Sequence, residues 1–330
     1  MNKRIDYFDI AKALLILCLL WGHYVLISRF QGIRDDMTIW MGSLSKLYTT
    51  FFMQSFFIIT GLCTTFNIGF KAFLWKNIKT ILIPGLFLCF VDRFLYNSFP
   101  GVPFEHTPTF VEWFVDGSPW FIMALFWAKL LYWFIVKLKI RSQIIICSVL
   151  YLAVLVMEWF ISIPNYLWFK HALLMLPYLC LGHLSYQYLD RIESKLYCLS
   201  LIGGLILLFE FIFSLPMPFN DYYIGVSLKV FPIHIINVIS GTLFILGLSK
   251  FIGHSKIIQT IGKGTLLIYL LNEFVIKVVV VLAHNIYPFD TSIKLVVYHI
   301  GSYFICIFIF YLLVILVYKT RYLSWIVGKY

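Results

Sequence analysis

Charge is scarce in this 330-residue chain. Only 12% of its residues are Asp, Glu, Lys or Arg, 62% are hydrophobic, and the mean hydropathy is +0.91. That balance excludes an ordinary soluble globular domain. The net charge of +11 arises from small Lys/Arg clusters between apolar runs, so the continuous basic stripe of a nucleic-acid-binding protein is absent. The cysteines, Cys18, Cys63, Cys89, Cys147, Cys180, Cys198 and Cys306, show no paired metal-ligand spacing, and neither do His171, His183, His234, His254, His284 and His299. No metal is expected, and the cysteines read as small core residues. No Pro/Gly/Ser-rich linker or composition shift divides the chain. No small-residue cleavage site follows the first apolar run, so that run reads as a retained signal-anchor. The roughly ten-residue alternation of an outer-membrane barrel is also missing.

In place of these features stand apolar runs of about twenty residues, the length that crosses a bilayer as a helix. They fall near 8–28, 46–68, 79–98, 119–137, 143–161, 169–188, 196–214, 233–250, 264–284 and 295–318. The expected fold is all-α: one polytopic transmembrane bundle of about ten helices, with 33 Phe and 21 Tyr partly serving the interfaces. Most Lys and Arg residues, among them Lys71, Lys76, Lys79, Lys137, Lys139 and Arg141, then lie on the side of the N-terminus. By the positive-inside rule both termini are expected in the cytoplasm. The longest outer loop, about 99–118, carries Glu105, His106, Glu112 and Asp116 and leads into Trp120. Its polar and aromatic groups suit sugar hydroxyls and faces, and equally suit a plain solvated loop.

The first apolar run is interrupted by polar residues at a helical spacing. His23 follows Lys12 by eleven residues, which at about 100° per residue leaves the two side chains only about 20° apart around the axis and about 16 Å apart along it. Asp9 lies on the same stripe. Ionisable groups within a spanning helix cost enough that function is their default reading. A near-neutral imidazole suits a general base or a transient acyl carrier. Structural roles are also open: His23 hydrogen-bonded at a helix end, and Lys12 snorkelling or paired with Asp9 at i, i+3. Asp92 with Arg93, and Glu273 with Lys277 at i, i+4, read as intrabundle ion pairs.

These residues resemble the acyltransferase 3 family of multi-spanning membrane acyltransferases that O-acylate cell-surface glycans. The first-helix pattern appears as Arg4…Asp9…Lys12…Gly22-His23, and the Phe-rich second helix as Phe51-Phe52-Met53-Gln54-Ser55-Phe56-Phe57-Ile58-Ile59-Thr60-Gly61. A basic stretch before a proline is matched by Lys76, Lys79 and Pro84, and Pro119-Trp120-Phe121 is similar to the opening of the fourth helix. Ile261-Gly262-Lys263-Gly264-Thr265 through Tyr269-Leu270-Leu271-Asn272 is similar to a later family pattern. Lys12 stands where Arg is more usual, Gln54 where Pro is frequent, and Asn272 where His is frequent.

The resemblance spans the whole chain and implies a single transmembrane acyltransferase domain, 1–330, in the inner (plasma) membrane. It implies transfer of an acyl group, most simply acetyl, from cytoplasmic acyl-CoA to a hydroxyl of a glycan or glycolipid, with acyl-CoA as co-substrate and no permanently bound cofactor. His23 is then the base or acyl carrier, and Lys12 and Asp9 are the other catalytic candidates, with Asp9 orienting Lys12. Lys12, Lys76 and Lys79 are candidates for the coenzyme, although a cluster such as Lys71, Lys76 and Lys79 also serves as a topology determinant or a contact with anionic lipid. Glu105, Glu112, Trp120, Tyr269 and Asn272 are candidates for the acceptor. The expected partners are membrane lipid, the acyl donor and the glycan acceptor, with no nucleic acid. The rival reading is an exporter of a polysaccharide or lipid-linked sugar, since many spans with buried charges also suit transport, although the two halves show no obvious repeat.

Overall fold

A computed structural model describes residues 6–33, 35–103, 119–160, 168–213, 231–286 and 292–327. Among these the secondary structure is helical, without a strand. In chain order the helices are α1 (Asp6–Phe30), α2 (Asp36–Thr49), α3 (Phe52–Cys63), α4 (Phe70–Asn77), α5 (Ile83–Ser98), α6 (Trp120–Ile135) and α7 (Ile140–Phe160). They continue as α8 (Phe169–Ser185), α9 (Leu189–Ile212), α10 (Phe231–Ile252), α11 (Lys256–Lys263), α12 (Thr265–Ile286) and α13 (Ser292–Lys319).

Among the described residues six helical stretches are long and apolar enough to cross a membrane: Asp6–Phe30, Ile140–Met157, Phe169–Ile212, Pro232–Ile252, Thr265–Ile286 and Ile293–Lys319. The first sequence-predicted span after α1, 46–68, is instead divided between α2 and α3 at Thr50 and Phe51. The predicted 119–137 span is the shorter α6, and the spans near 169–188 and 196–214 fall within one 44-residue stretch. The predicted 79–98 span begins in a π-turn, Ile78–Leu82, before continuing as α5. Pro84 accounts for that turn, because it supplies no N–H and its ring would press on the carbonyl four residues back, at Thr80. The wider turn carries the backbone bond from Ile83 N–H to the Ile78 carbonyl instead.

The helices form two compact units. Residues 1–46, 84–107 and 254–330 make the first, which holds α1, α5, α11, α12 and α13; residues 47–83 and 108–253 make the second. In the first unit α1 packs against α11 and α12, and α12 against α13. Gly262 allows the approach of α11, since a Cβ there would collide with the Asp9 carbonyl. In the second unit α3 and α8 touch through Gly61 and Gly182, each facing the other helix's backbone. Small residues at such crossings are how apolar helices associate without a hydrophobic drive between them. Outward faces such as Phe87, Phe90 and Phe94 on α5, or Phe304, Phe308, Leu312 and Leu316 on α13, remain exposed and apolar, as lipid contact requires. Cys89, Cys147, Cys180 and Cys306 are buried as expected, whereas Cys63 and Cys198 are exposed.

Replacing Gly262 by Ala should push α11 from α1. The expected loss is about 1–3 kcal/mol, read as a lower unfolding temperature in detergent, while Gly301→Ala on α13, whose Cβ would meet nothing within 4 Å, should show no such loss.

Candidate active site

α1 is apolar enough to be buried along much of its length, and its polar residues therefore need partners. Near its C-terminal half, Trp21 donates to the Met41 carbonyl at 3.0 Å, and Tyr303 donates to the Leu17 carbonyl at 2.9 Å. Tyr24 reaches His299 Nδ1 at 3.1 Å, and His299 Nε2 lies 2.9 Å from Asp35 Oδ2. Asp35 Oδ1 also accepts from the Thr38 N–H at 2.7 Å, holding the start of α2. These contacts fix the rotation of α1 on both sides of His23.

His23 itself meets α12. Its Nδ1 is inaccessible and lies 3.9 Å from Glu273 Oε1, while 31% of the side chain stays exposed through the rest of the ring. That distance is longer than a hydrogen bond and within the reach of an ion pair. Glu273 Oε2 is 3.1 Å from Arg93 Nη1 of α5, so one carboxylate stands between an imidazole and a guanidinium. Beside Arg93, the buried Asp92 accepts the Phe274 N–H at 3.1 Å and binds α5 to α12. Asn272, also buried, contacts the His23 ring and donates to the Tyr269 carbonyl.

The local pairing of Glu273 with Lys277 expected from spacing is replaced. Lys277 does not pair with Glu273 one turn away; its ammonium donates to the Tyr96 and Phe99 carbonyls at 2.7 and 3.0 Å and lies 4.2 Å from the centre of the Tyr96 ring. These carbonyls belong to the end of α5 and the residue beyond it, where backbone acceptors lack helical partners and a cation is favoured. Arg93 in turn is drawn to Glu273. Gln31 steadies the same chain segment, accepting from the Val102 N–H at 2.8 Å and donating to its carbonyl at 3.0 Å.

Of the site residues expected from sequence, the structure brings Asn272 to His23, with Tyr269 one turn earlier on α12. Asp9 and Lys12 form an ion pair of 2.9 Å at the opposite end of α1, so they make a separate cluster on the shared stripe. Lys76, on α4, and Lys79, in the π-turn, belong to the second unit, as does Trp120, which opens α6 against Phe121 and His171. Glu105 and Glu112 lie outside the described residues. Glu273 and Arg93 are the additions. The sequence signal for them was the presence of ionisable groups inside apolar runs, which marks candidates without naming partners.

Six apolar helices of spanning length among the described residues mark a membrane-like helical protein, and within it a histidine stands 3.9 Å from a carboxylate. The family model described as an acyltransferase domain matches residues 5–319, nearly the whole chain. The chain belongs to this acyltransferase 3 family, and a membrane acyltransferase is the activity that membership supports. Neither a curated protein nor a solved structure matches it.

The ionic contacts should differ in their effect on stability. Lys277→Met leaves the carbonyls at the end of α5 without their donor and is expected to cost about 1–3 kcal/mol. Arg93→Gln loosens a pair whose side chains are 32% and 24% exposed and should cost about 1 kcal/mol or less. Thermal unfolding of the two variants in the same detergent checks the order.

Proposed function

We propose that the protein is an O-acyltransferase that moves an acyl group, most simply acetyl, from acyl-CoA to a hydroxyl of a cell-surface glycan or glycolipid, and that His23 is its general base. The observation that carries this reading is the Glu273 carboxylate at 3.9 Å from the inaccessible Nδ1 of His23. With Nδ1–H turned to the carboxylate, Nε2 bears the free lone pair. The acceptor hydroxyl gives its proton to Nε2 as its oxygen attacks the thioester carbonyl. The carbon–sulfur bond then breaks, the ester forms, and the proton passes from His23 to the departing thiolate.

Glu273 acts on the imidazolium. A full charge pair at 3.9 Å is worth about 4 kcal/mol at an effective dielectric of about 20. Exposure of part of the ring reduces that figure. The attraction exists only while His23 holds the proton, so it favours the transition state over the ground state. Asn272 orients the ring, and Tyr269 is assigned to the acceptor. Lys12 is assigned to the donor, whose phosphates are anionic. A cytoplasmic acyl-CoA and an envelope glycan together place the reaction at the plasma membrane.

Mass spectrometry of surface glycans tests the assignment. Deleting the protein should remove ester-sized mass at constant chain length; loss of the exported glycan itself would favour transport instead. His23→Gln keeps hydrogen-bonding capacity but cannot take a proton at neutral pH. It should slow esterification about 10²–10⁴-fold with normal insertion. A normally inserted His23→Gln protein working at near wild-type rate would refute the base assignment.

A further inference from the structure

In the second unit α9 packs along α10, and several contacts fix their register. Lys250 donates to the Glu193 carbonyl at 3.0 Å, Ser200 donates to the Phe244 carbonyl at 3.1 Å, and a Cβ on Gly203 would collide with the Ser240 carbonyl. Residue numbers rise along α9 as they fall along α10, so the pair is antiparallel. On both helices the touching positions recur every three or four residues, the spacing of one helix face. Two turns beyond Gly203 the face of α9 arrives at Glu210, and one turn before Ser240 that of α10 arrives at Asn237, with His234 a turn further. The register therefore sets Glu210 level with the stretch from His234 to Asn237.

All three side chains are buried: Glu210 is 5% exposed, His234 3% and Asn237 0%. Their hydrogen bonds are incomplete. His234 Nε2 meets the Tyr178 hydroxyl at 3.1 Å, but His234 Nδ1, Glu210 Oε2 and both polar atoms of the Asn237 amide have no partner among the described residues. Asn237 is within reach of the Glu210 carboxyl without closing a bond to it, and no cation among the described residues pairs with that carboxyl. On α10 the other charged group turned to α9 is Lys250, about 20 Å along the axis from Asn237 and held by the Glu193 carbonyl. The remaining titratable groups of α9 and of the turn before it, from Tyr186 to Cys198, belong to that far end as well.

A buried carboxylate without a cation is far costlier than a buried carboxylic acid. Counting donors and acceptors gives the same answer. An ionised carboxylate only accepts, so it can take an N–H of Asn237 but leaves Oδ1 without a donor. A carboxylic acid supplies that donor. Its O–H bonds to Oδ1 while its carbonyl accepts the Nδ2–H, and one proton completes Oε2, Oδ1 and Nδ2 together.

We propose that Glu210 is a proton-binding site of the second unit: it holds a proton taken from water, and its acid–amide pair with Asn237 clasps α9 to α10. Returning the proton to water leaves Oδ1 without a donor and a charge without a cation, so the clasp loosens as the pH rises. Neither residue belongs to the candidate acyl-transfer site.

Infrared spectra of the full-length protein at neutral pH, in dodecyl maltoside, a detergent without a carbonyl, test the assignment. The wild type minus Glu210→Gln difference should contain the C=O stretch of a carboxylic acid, and Asn237→Ala should move that band to higher wavenumber by removing its partner. Glu210→Gln keeps the donor and acceptor of the protonated acid. Its unfolding temperature should therefore stay near that of the wild type at about pH 5. A carboxyl protonated only in the folded chain takes up a proton on folding, so raising the pH from about 5 to about 8 should lower the wild-type unfolding temperature more than that of Glu210→Gln. Carboxylate bands in place of the acid band would overturn the proton site. An acid band unmoved by Asn237→Ala, or equal pH dependence of the two unfolding temperatures, would overturn the clasp.

Discussion

One carboxylate, Glu273, determines how the first unit is organised around its polar residues. It lies 3.1 Å from Arg93 on α5 and 3.9 Å from His23 on α1, and it is itself carried by α12. Three helices are thereby set in register by charge, where a misplaced partner would be costly. The neighbouring bonds follow from that register. Asp92 reaches the Phe274 N–H, Lys277 closes the end of α5, and Asn272 comes to the His23 ring. On the other side of α1, the chain Tyr24–His299–Asp35 prevents the helix from turning away.

The stripe on α1 thus carries two separate arrangements. Asp9 and Lys12 satisfy each other near the helix start, where acidic residues also suit the helix dipole and where Gly262 lets α11 approach. His23, about 16 Å further along, has no partner on its own helix and takes one from α12. That difference supports the division of roles in the proposed mechanism. A histidine whose carboxylate partner stands just beyond hydrogen-bond length gains most when it becomes charged, which is what a base does during the reaction.

Much of the fold was legible because apolar length and amphipathic spacing are local properties. The all-helical architecture, the extent of α1 and its polar stripe, and the family all follow from the order of residues. The boundaries that shifted have local causes that run-length alone overlooks: Pro84 forces a π-turn into the third predicted span, and the break at Thr50 and Phe51 divides the second. The ion pairs were harder. Glu273 and Lys277 are at ideal helical spacing, yet each is better served by a residue far away in sequence. Lys277 finds the unpartnered carbonyls of α5, and Glu273 finds a guanidinium 180 residues before it and an imidazole 250 residues before it. Those preferences depend on which helices become neighbours, and spacing within one helix does not contain that information.

A double-mutant cycle on His23 and Glu273, with insertion verified for each protein, measures whether the two act as one unit. The account predicts that His23→Gln and Glu273→Gln each slow glycan esterification and that the double variant is no slower than His23→Gln alone, because the carboxylate works only through the imidazolium. Losses that multiply in the double variant would show that Glu273 acts independently of His23, and would contradict the account.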